Sequence, residues 1–248
     1  LKGFAMGRGW SETMQALNYA RKLHKGQARK SGEPYIIHPL TMACQAVSMG
    51  VNDDNIVAAI LLHDVVEDCG VSVNDLPVNK EVKEAVHLLT YVKPEKYKER
   101  DGEGSSLLVV KSNYYDEISK NRIASIAKLF DRCHNVSSMA GTFTKEKLND
   151  YIEETDMFVL PLLRETKDNF PEYQDILFVL KYHIISVLDA INGTILTYTD
   201  RITEFLTQFD SYTQFTEKMK FLCDNISNFT EEELKTHLKK IVDATKEA

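Results

Sequence analysis

The 248-residue sequence is poor in the features that announce several protein classes. Its four cysteines, Cys44, Cys69, Cys133 and Cys223, are widely spaced and form no Cys-x-x-Cys pair, which argues against a zinc knuckle or a disulfide framework and for reduced cytosolic thiols. The longest uninterrupted apolar run, Ile56 to Leu62, is far below the ~20 residues that cross a bilayer. Lys2, Gly3, Arg8 and Gly9 break up the start, so no signal-peptide pattern forms there. The first residue is Leu1, so a true start or a tag is expected to be missing. Positive charge is also scarce. Lys and Arg number 30 against 37 Asp and Glu, a net charge of -7 and a pI of about 5.6. Domains that bind nucleic acid draw their affinity from clustered cations and usually have a pI above ~9, so a general nucleic-acid binder is not expected. An acidic whole still leaves room for one basic pocket. A cytoplasmic protein free of membranes is the expectation.

What the chain does have is helical periodicity. With 43 % hydrophobic and 27 % charged residues it has the composition of a globular protein, and its apolar residues recur at three- and four-residue spacing without sustained alternation. An all-α fold follows, with no convincing strand. Ser11 reads as the cap of a first helix, Pro39 as the opening of a second and Asp53 as the cap of a third. That third helix is expected to run on through His63–Asp68 to Gly70. Further helices are expected at 81–90, 111–119, 122–140, 145–167 and 172–191. Thr230 with Glu233 makes a capping box for a last one. Residues 1–192 read as the main domain and 193–248 as a helical extension of unknown role. Phe205, Phe209, Phe215 and Phe221 in that tail suit a packing helix or a dimer contact, which leaves a homo-oligomer open.

The sharpest local signal is His63-Asp64-x-x-Glu67-Asp68. At helical spacing His63 shares a face with Glu67, and Asp64 with Asp68, so four ionisable groups crowd an otherwise apolar stretch. Such crowding costs desolvation and repulsion that a cation would offset. Glu67 and Asp68 would lie in a last turn, where acids oppose the helix dipole, so capping does not explain them. His38 sits in the apolar run Tyr35-Ile36-Ile37-His38-Pro39, and Asp131 interrupts another at Ile126–Phe130. Singly, such a His is usually a hydrogen-bonded core residue, and such an Asp is usually paired with an arginine, here the adjacent Arg132. The order His38, His63-Asp64, Asp131 resembles the signature of HD phosphohydrolases.

The match extends beyond those ligands. His24-Lys25-Gly26-Gln27-Ala28-Arg29-Lys30-Ser31-Gly32-Glu33-Pro34-Tyr35-Ile36-Ile37-His38-Pro39 resembles the first hallmark of the RelA/SpoT hydrolase domain. Leu61–Asp68 resembles the second and Lys128–Asn135 the third, and the similarity covers roughly residues 11–191. The resemblance implies an HD-domain helical bundle that hydrolyses ppGpp and pppGpp, the alarmones of the stringent response, to GDP or GTP and pyrophosphate. It implies Mn²⁺ on His38, His63, Asp64 and Asp131, with Glu67 and Asp68 positioning and activating the attacking water. It further implies a guanosine polyphosphate held by Arg29, Lys30, Ser31 and Asn135. Independently of it, Arg21, Lys22, Lys25, Arg29 and Lys30 form a basic stretch with no acid among them. Arg29 and Lys30, in a polar loop, are the pair suited to phosphate.

Some positions depart from the family pattern. Cys133 stands where leucine is usual, a packing site that tolerates a small hydrophobe. Val136-Ser137-Ser138 lacks a nearby arginine. Residues 93–106, with Lys93, Lys96, Lys98 and Arg100, do not align. The synthetase domain of the long enzymes has no counterpart, so a stand-alone small hydrolase is the expectation. Two alternatives remain: an HD phosphohydrolase acting on another nucleotide, such as an NADPH 2′-phosphatase or a ribonucleotide 3′-phosphatase, or a non-catalytic alarmone sensor. The intact Glu67-Asp68 pair speaks against the sensor.

Overall fold

The computed structural model describes residues 1–91, 104–139, 142–206 and 230–246, together with Lys220 and Asp224. Lys93, Lys96, Lys98, Arg100, Phe209, Phe215, Phe221 and Cys223 lie outside the described residues, as does the side chain of Phe205. The chain divides into two compact units, residues 1–191 and 192–248. Among the described residues every regular element is helical, and the sole β feature is an isolated bridge between Ala28 and Pro34.

The first unit is built around α4 (Asp54–Leu62), whose residues Ile56 to Leu62 are all buried. A helix apolar on every side must be walled in by other helices. Around it pack α2 (Ser11–Leu23), α3 (Ile37–Ser48), α6 (Lys80–Leu89) and α8 (Arg122–Met139). Asp53 caps α4 by accepting from the N–H groups of Asn55 (2.9 Å) and Ile56 (3.1 Å), as the sequence predicts. Ser11 does not cap α2; it is the first residue of the helix, after Trp10. The cap comes from across the bundle, where the Asp54 carboxylate accepts from the N–H groups of Glu12 (3.0 Å) and Thr13 (2.7 Å). A short helix, α1 (Lys2–Arg8), precedes α2.

Two predicted helices are broken. The third ends at Leu62, and after His63 and Asp64 a separate turn, α5 (Val65–Cys69), runs to Gly70, whose φ of 65° is left-handed. Glu67 and Asp68 therefore occupy the first turn of α5, where they complement the helix dipole instead of opposing it. The expected helix 145–167 is α9 (Lys145–Glu154), a π turn at Thr155–Val159 and α10 (Leu160–Asn169). A buried network accounts for that turn. Thr155 Oγ1 donates to the Tyr151 carbonyl (2.6 Å) and accepts from Arg132 Nη1 (3.3 Å).

Arg132 does not pair with Asp131. Its guanidinium bonds the Glu154 carboxylate, donates to Tyr115 Oη (3.1 Å) and stacks 3.9 Å over the Tyr151 ring. Residues Gln174–Leu206 form one helix, α11, which continues past the expected end at Ile191. By length and composition alone, the stretch Pro171–Thr194 is apolar enough to cross a membrane, with mean hydropathy 1.4. Its Leu177, Leu180, Ile184 and Leu188 are nevertheless buried within the protein. In the second unit, Thr230 and Glu233 form the predicted capping box ahead of the helix Glu231–Lys246.

Candidate active site

Three elements converge on one buried cluster. His38 lies in the first turn of α3, His63 at the end of α4 with Asp64 next to it, and Asp131 in the middle of α8. One nitrogen or oxygen from each of His38, His63 and Asp131 lies within 4.8 Å of the others, and all three residues are buried. Asp131 Oδ1 is 3.4 Å from His38 Nε2 and 3.6 Å from His63 Nε2. Asp64 Oδ2 is 3.8 Å from His38 Nε2 and 2.8 Å from His63 Nε2. The four residues expected as ligands are thus gathered in one place.

The donor set suits a divalent cation. His63 Nδ1 lies 2.8 Å from the Ile60 carbonyl, an acceptor, so Nδ1 carries the ring proton and the neutral ring leaves a lone pair on Nε2. That nitrogen is buried and has no assigned hydrogen-bond partner, with Asp64 Oδ2 2.8 Å away. A backbone carbonyl behind one ring nitrogen and a free lone pair on the other is the arrangement of a metal-ligating histidine. Burial opposes a proton on His63, yet Asp64 and Asp131 outweigh it and hold the pKa well above the ordinary value. The two carboxylates demand a positive charge, which either a proton or a cation supplies. Burial likewise disfavours ionised Asp131, but Lys128, His38 and His63 hold its carboxyl well below the usual range.

The remaining predicted residues separate into groups. Glu67 accepts from the Tyr91 backbone N–H. It keeps an open face to solvent, but protein crowds its other sides; that desolvation, with Asp64 nearby, raises its pKa despite the Tyr91 N–H. Asp68 is exposed beside it. Across the cluster, Arg29 Nη2 donates to Asn135 Oδ1 (2.9 Å), and Asn135 Nδ2 donates to Asp131 Oδ1 (2.6 Å). Arg29 is carried on a tight loop closed by Arg29 N–H to Glu33 carbonyl (2.8 Å) and Tyr35 N–H to Gln27 carbonyl (2.9 Å). Gly32 turns that loop with φ 85°, a left-handed value that favours glycine. Lys30 and Ser31 are exposed at its tip. Lys30 reaches the Phe143 ring (6.0 Å), which also carries Lys147 (4.0 Å), and not the cluster.

Three contributors were not picked out from the sequence. Tyr35 Oη donates to Asp64, and Lys128 Nζ lies 3.2 Å from Asp131 Oδ2. His134 Nδ1 lies 2.9 Å from His38 Nδ1. Burial, then His38 and Arg29, lower the His134 pKa to about 4. Lys128 and His134 stand three residues either side of Asp131, a spacing that places them on its helix face and was the signal available.

A family model described as an HD domain matches residues 16–96, the segment that holds His38, His63 and Asp64. Among curated proteins, this chain is 31 % identical over 153 residues to a guanosine-3′,5′-bis(diphosphate) 3′-pyrophosphohydrolase of Aquifex aeolicus, covering 61 % of the chain and 21 % of that protein. It is 35 % identical over 150 residues to the bifunctional (p)ppGpp synthase/hydrolase SpoT of Escherichia coli, covering 60 % of the chain and 21 % of that protein. The chain thus spans about a fifth of the length of these relatives. A solved structure described as a metazoan orthologue of SpoT that hydrolyses ppGpp is 23 % identical with a TM-score of 0.49, covering 74 % of this chain and 95 % of that one.

Proposed function

We propose that the protein is a Mn²⁺-dependent (p)ppGpp 3′-pyrophosphohydrolase. The observation that carries the reading is the buried His38–His63–Asp131 cluster, completed by Asp64 and flanked by an acid on one side and an arginine on the other. A set of two imidazoles and two carboxylates, without thiolate, suits Mn²⁺ better than a sulfur-seeking ion. Bound there, a divalent cation would polarise a phosphoryl oxygen and make water more acidic.

The chain's own groups divide the remaining work. Glu67, with its raised pKa, accepts the proton of the attacking water, and Asp68 orients that water. Arg29 and Asn135 meet the nucleotide beside the cluster, while Lys30 and Ser31 at the loop tip meet its phosphates. One water adds across the bond between the ribose 3′ oxygen and phosphorus. Pyrophosphate leaves with the water's oxygen, and the 3′ oxygen takes up a proton. The names of the relatives support this substrate class. We assign the chemistry to residues 1–192, with 193–248 as a helical extension, in a cytoplasmic protein whose partner is the small nucleotide and neither nucleic acid nor membrane.

Incubation with ppGpp and Mn²⁺ yields GDP and pyrophosphate in equal amounts, and His63→Ala yields neither. Release of orthophosphate alone, or equal behaviour of His63→Ala and wild type, overturns the reading.

A further inference from the structure

Arg29 is expected to serve substrate, yet in this structure its guanidinium is engaged with the protein, and both of its contacts lead to the metal cluster. Nη2 donates to Asn135 Oδ1 (2.9 Å), and Asn135 Nδ2 donates to Asp131 Oδ1 (2.6 Å). Nη1 lies 3.3 Å from His134 Nδ1, which lies 2.9 Å from His38 Nδ1. Each branch thus ends, after a single intermediate residue, on a different candidate ligand.

The directions of these bonds follow from chemistry. A guanidinium only donates, so the His134 nitrogen facing it accepts and carries no proton. Between His134 Nδ1 and His38 Nδ1 a proton must come from one side, and His134 has none there. His38 Nδ1 therefore donates. The neutral His38 ring then presents a lone pair at Nε2, the atom 3.4 Å from Asp131 Oδ1 and 3.8 Å from Asp64 Oδ2. With the opposite tautomer, His38 Nε2–H would point a proton into the cluster and exclude a cation. Along the other branch the Asn135 amide is orientated the same way, oxygen toward Arg29 and nitrogen toward Asp131.

We propose that Arg29 is a positioning residue for the metal site, acting through His134 on the tautomer of His38 and through Asn135 on the carboxylate of Asp131. The loop that meets the substrate is thereby linked to the grip on the metal: a polyphosphate that draws Arg29 away loosens the cation, and a bound cation restrains Arg29. This rests on the metal-site reading above. Coupling of this kind is reciprocal, so Mn²⁺ and nucleotide affect each other's affinity by one factor. Partners of metal ligands typically change metal affinity about 10–100-fold when removed.

Two measurements test it. In the metal-free protein, long-range proton–nitrogen NMR reads the tautomer of His38 directly. Wild type shows His38 protonated at Nδ1, and Arg29→Ala and His134→Phe shift it toward Nε2. In the second, Mn²⁺ titration by calorimetry shows a loss of about 10-fold or more in Arg29→Ala. Arg29→Lys, which keeps the charge without the fork, does not restore it. An unchanged His38 tautomer together with an unchanged Mn²⁺ affinity in Arg29→Ala overturns the inference and leaves the metal reading standing. Failure of wild type to bind any Mn²⁺ overturns the metal reading itself, and this inference with it.

Discussion

Replacing Glu154 by Gln tests how the helix that carries Asp131 is anchored. Glu154 pairs with Arg132 and, at 2.5 Å, with Lys111, and it accepts from Tyr115 Oη at 3.0 Å. The side chains of Arg132 and Glu154 are only 3 % and 23 % exposed, so solvent screens the pair weakly. Burial alone would raise the Glu154 pKa, but Arg132 and then Lys111 outweigh it and bring it from 4.5 to about 2. At about 1.4 kcal/mol per tenfold change, a carboxyl so displaced contributes about 3 kcal/mol to stability at neutral pH. That agrees with the ~3–5 kcal/mol usually lost when one partner of a buried pair is removed. The folded-state pKa is depressed, so the contribution is complete above pH 4.5 and is lost as pH falls from there through about 2. Urea titrations of Glu154→Gln against wild type give a difference of about 3 kcal/mol at pH 7, shrinking steadily below pH ~4.5 and nearly gone by pH ~2. In thermal scans it amounts to roughly 6–12 °C. A difference below about 0.5 kcal/mol at pH 7, or one that does not change with pH, refutes the argument that the pair is desolvated.

The other predictions are more local. Asp54→Ala removes the acceptor shared by the first N–H groups of α2 and costs about 1–2 kcal/mol in urea midpoint, with little effect on turnover per folded molecule. Phe130→Ala, a fully buried ring on α8, costs about 3–5 kcal/mol by the same assay. Glu67→Gln lowers kcat about 10²–10⁴-fold with little change in KM, because the lost group handles a proton and does not hold substrate. Chelation of divalent cations abolishes pyrophosphate release from ppGpp, and added Mn²⁺ restores it, followed by ion chromatography of the products.

Much of the site was legible before the fold. His63 and Asp64 stood out because ionisable groups crowded into an apolar helical run are costly and need a reason, and His38 and Asp131 because they complete the order of a known family's motif. The cap at Asp53 and the box at Thr230–Glu233 were legible because capping is settled within four residues. Errors arose where local pattern does not decide. The break between α4 and α5 and the π turn after Glu154 lie inside stretches whose periodicity is unbroken. Adjacency suggested Asp131 with Arg132, but neighbours on a helix point to different faces. Lys128 and Glu154 took the two roles instead.

The sequence alone therefore determined the helical class, which depends on residue type and short-range spacing, while the resemblance to a known family supplied the candidate ligands and their order. Only the tertiary structure decided which lone pairs and carboxylates meet. His38, His63 and Asp131 are brought within 4.8 Å by the packing of α3 and α8 on α4. Behind the His63 ring stands the Ile60 carbonyl at 2.8 Å, and behind the His38 ring the His134 imidazole at 2.9 Å. The His38–His134 pairing spans 96 residues, and such long-range contacts leave no trace in periodicity.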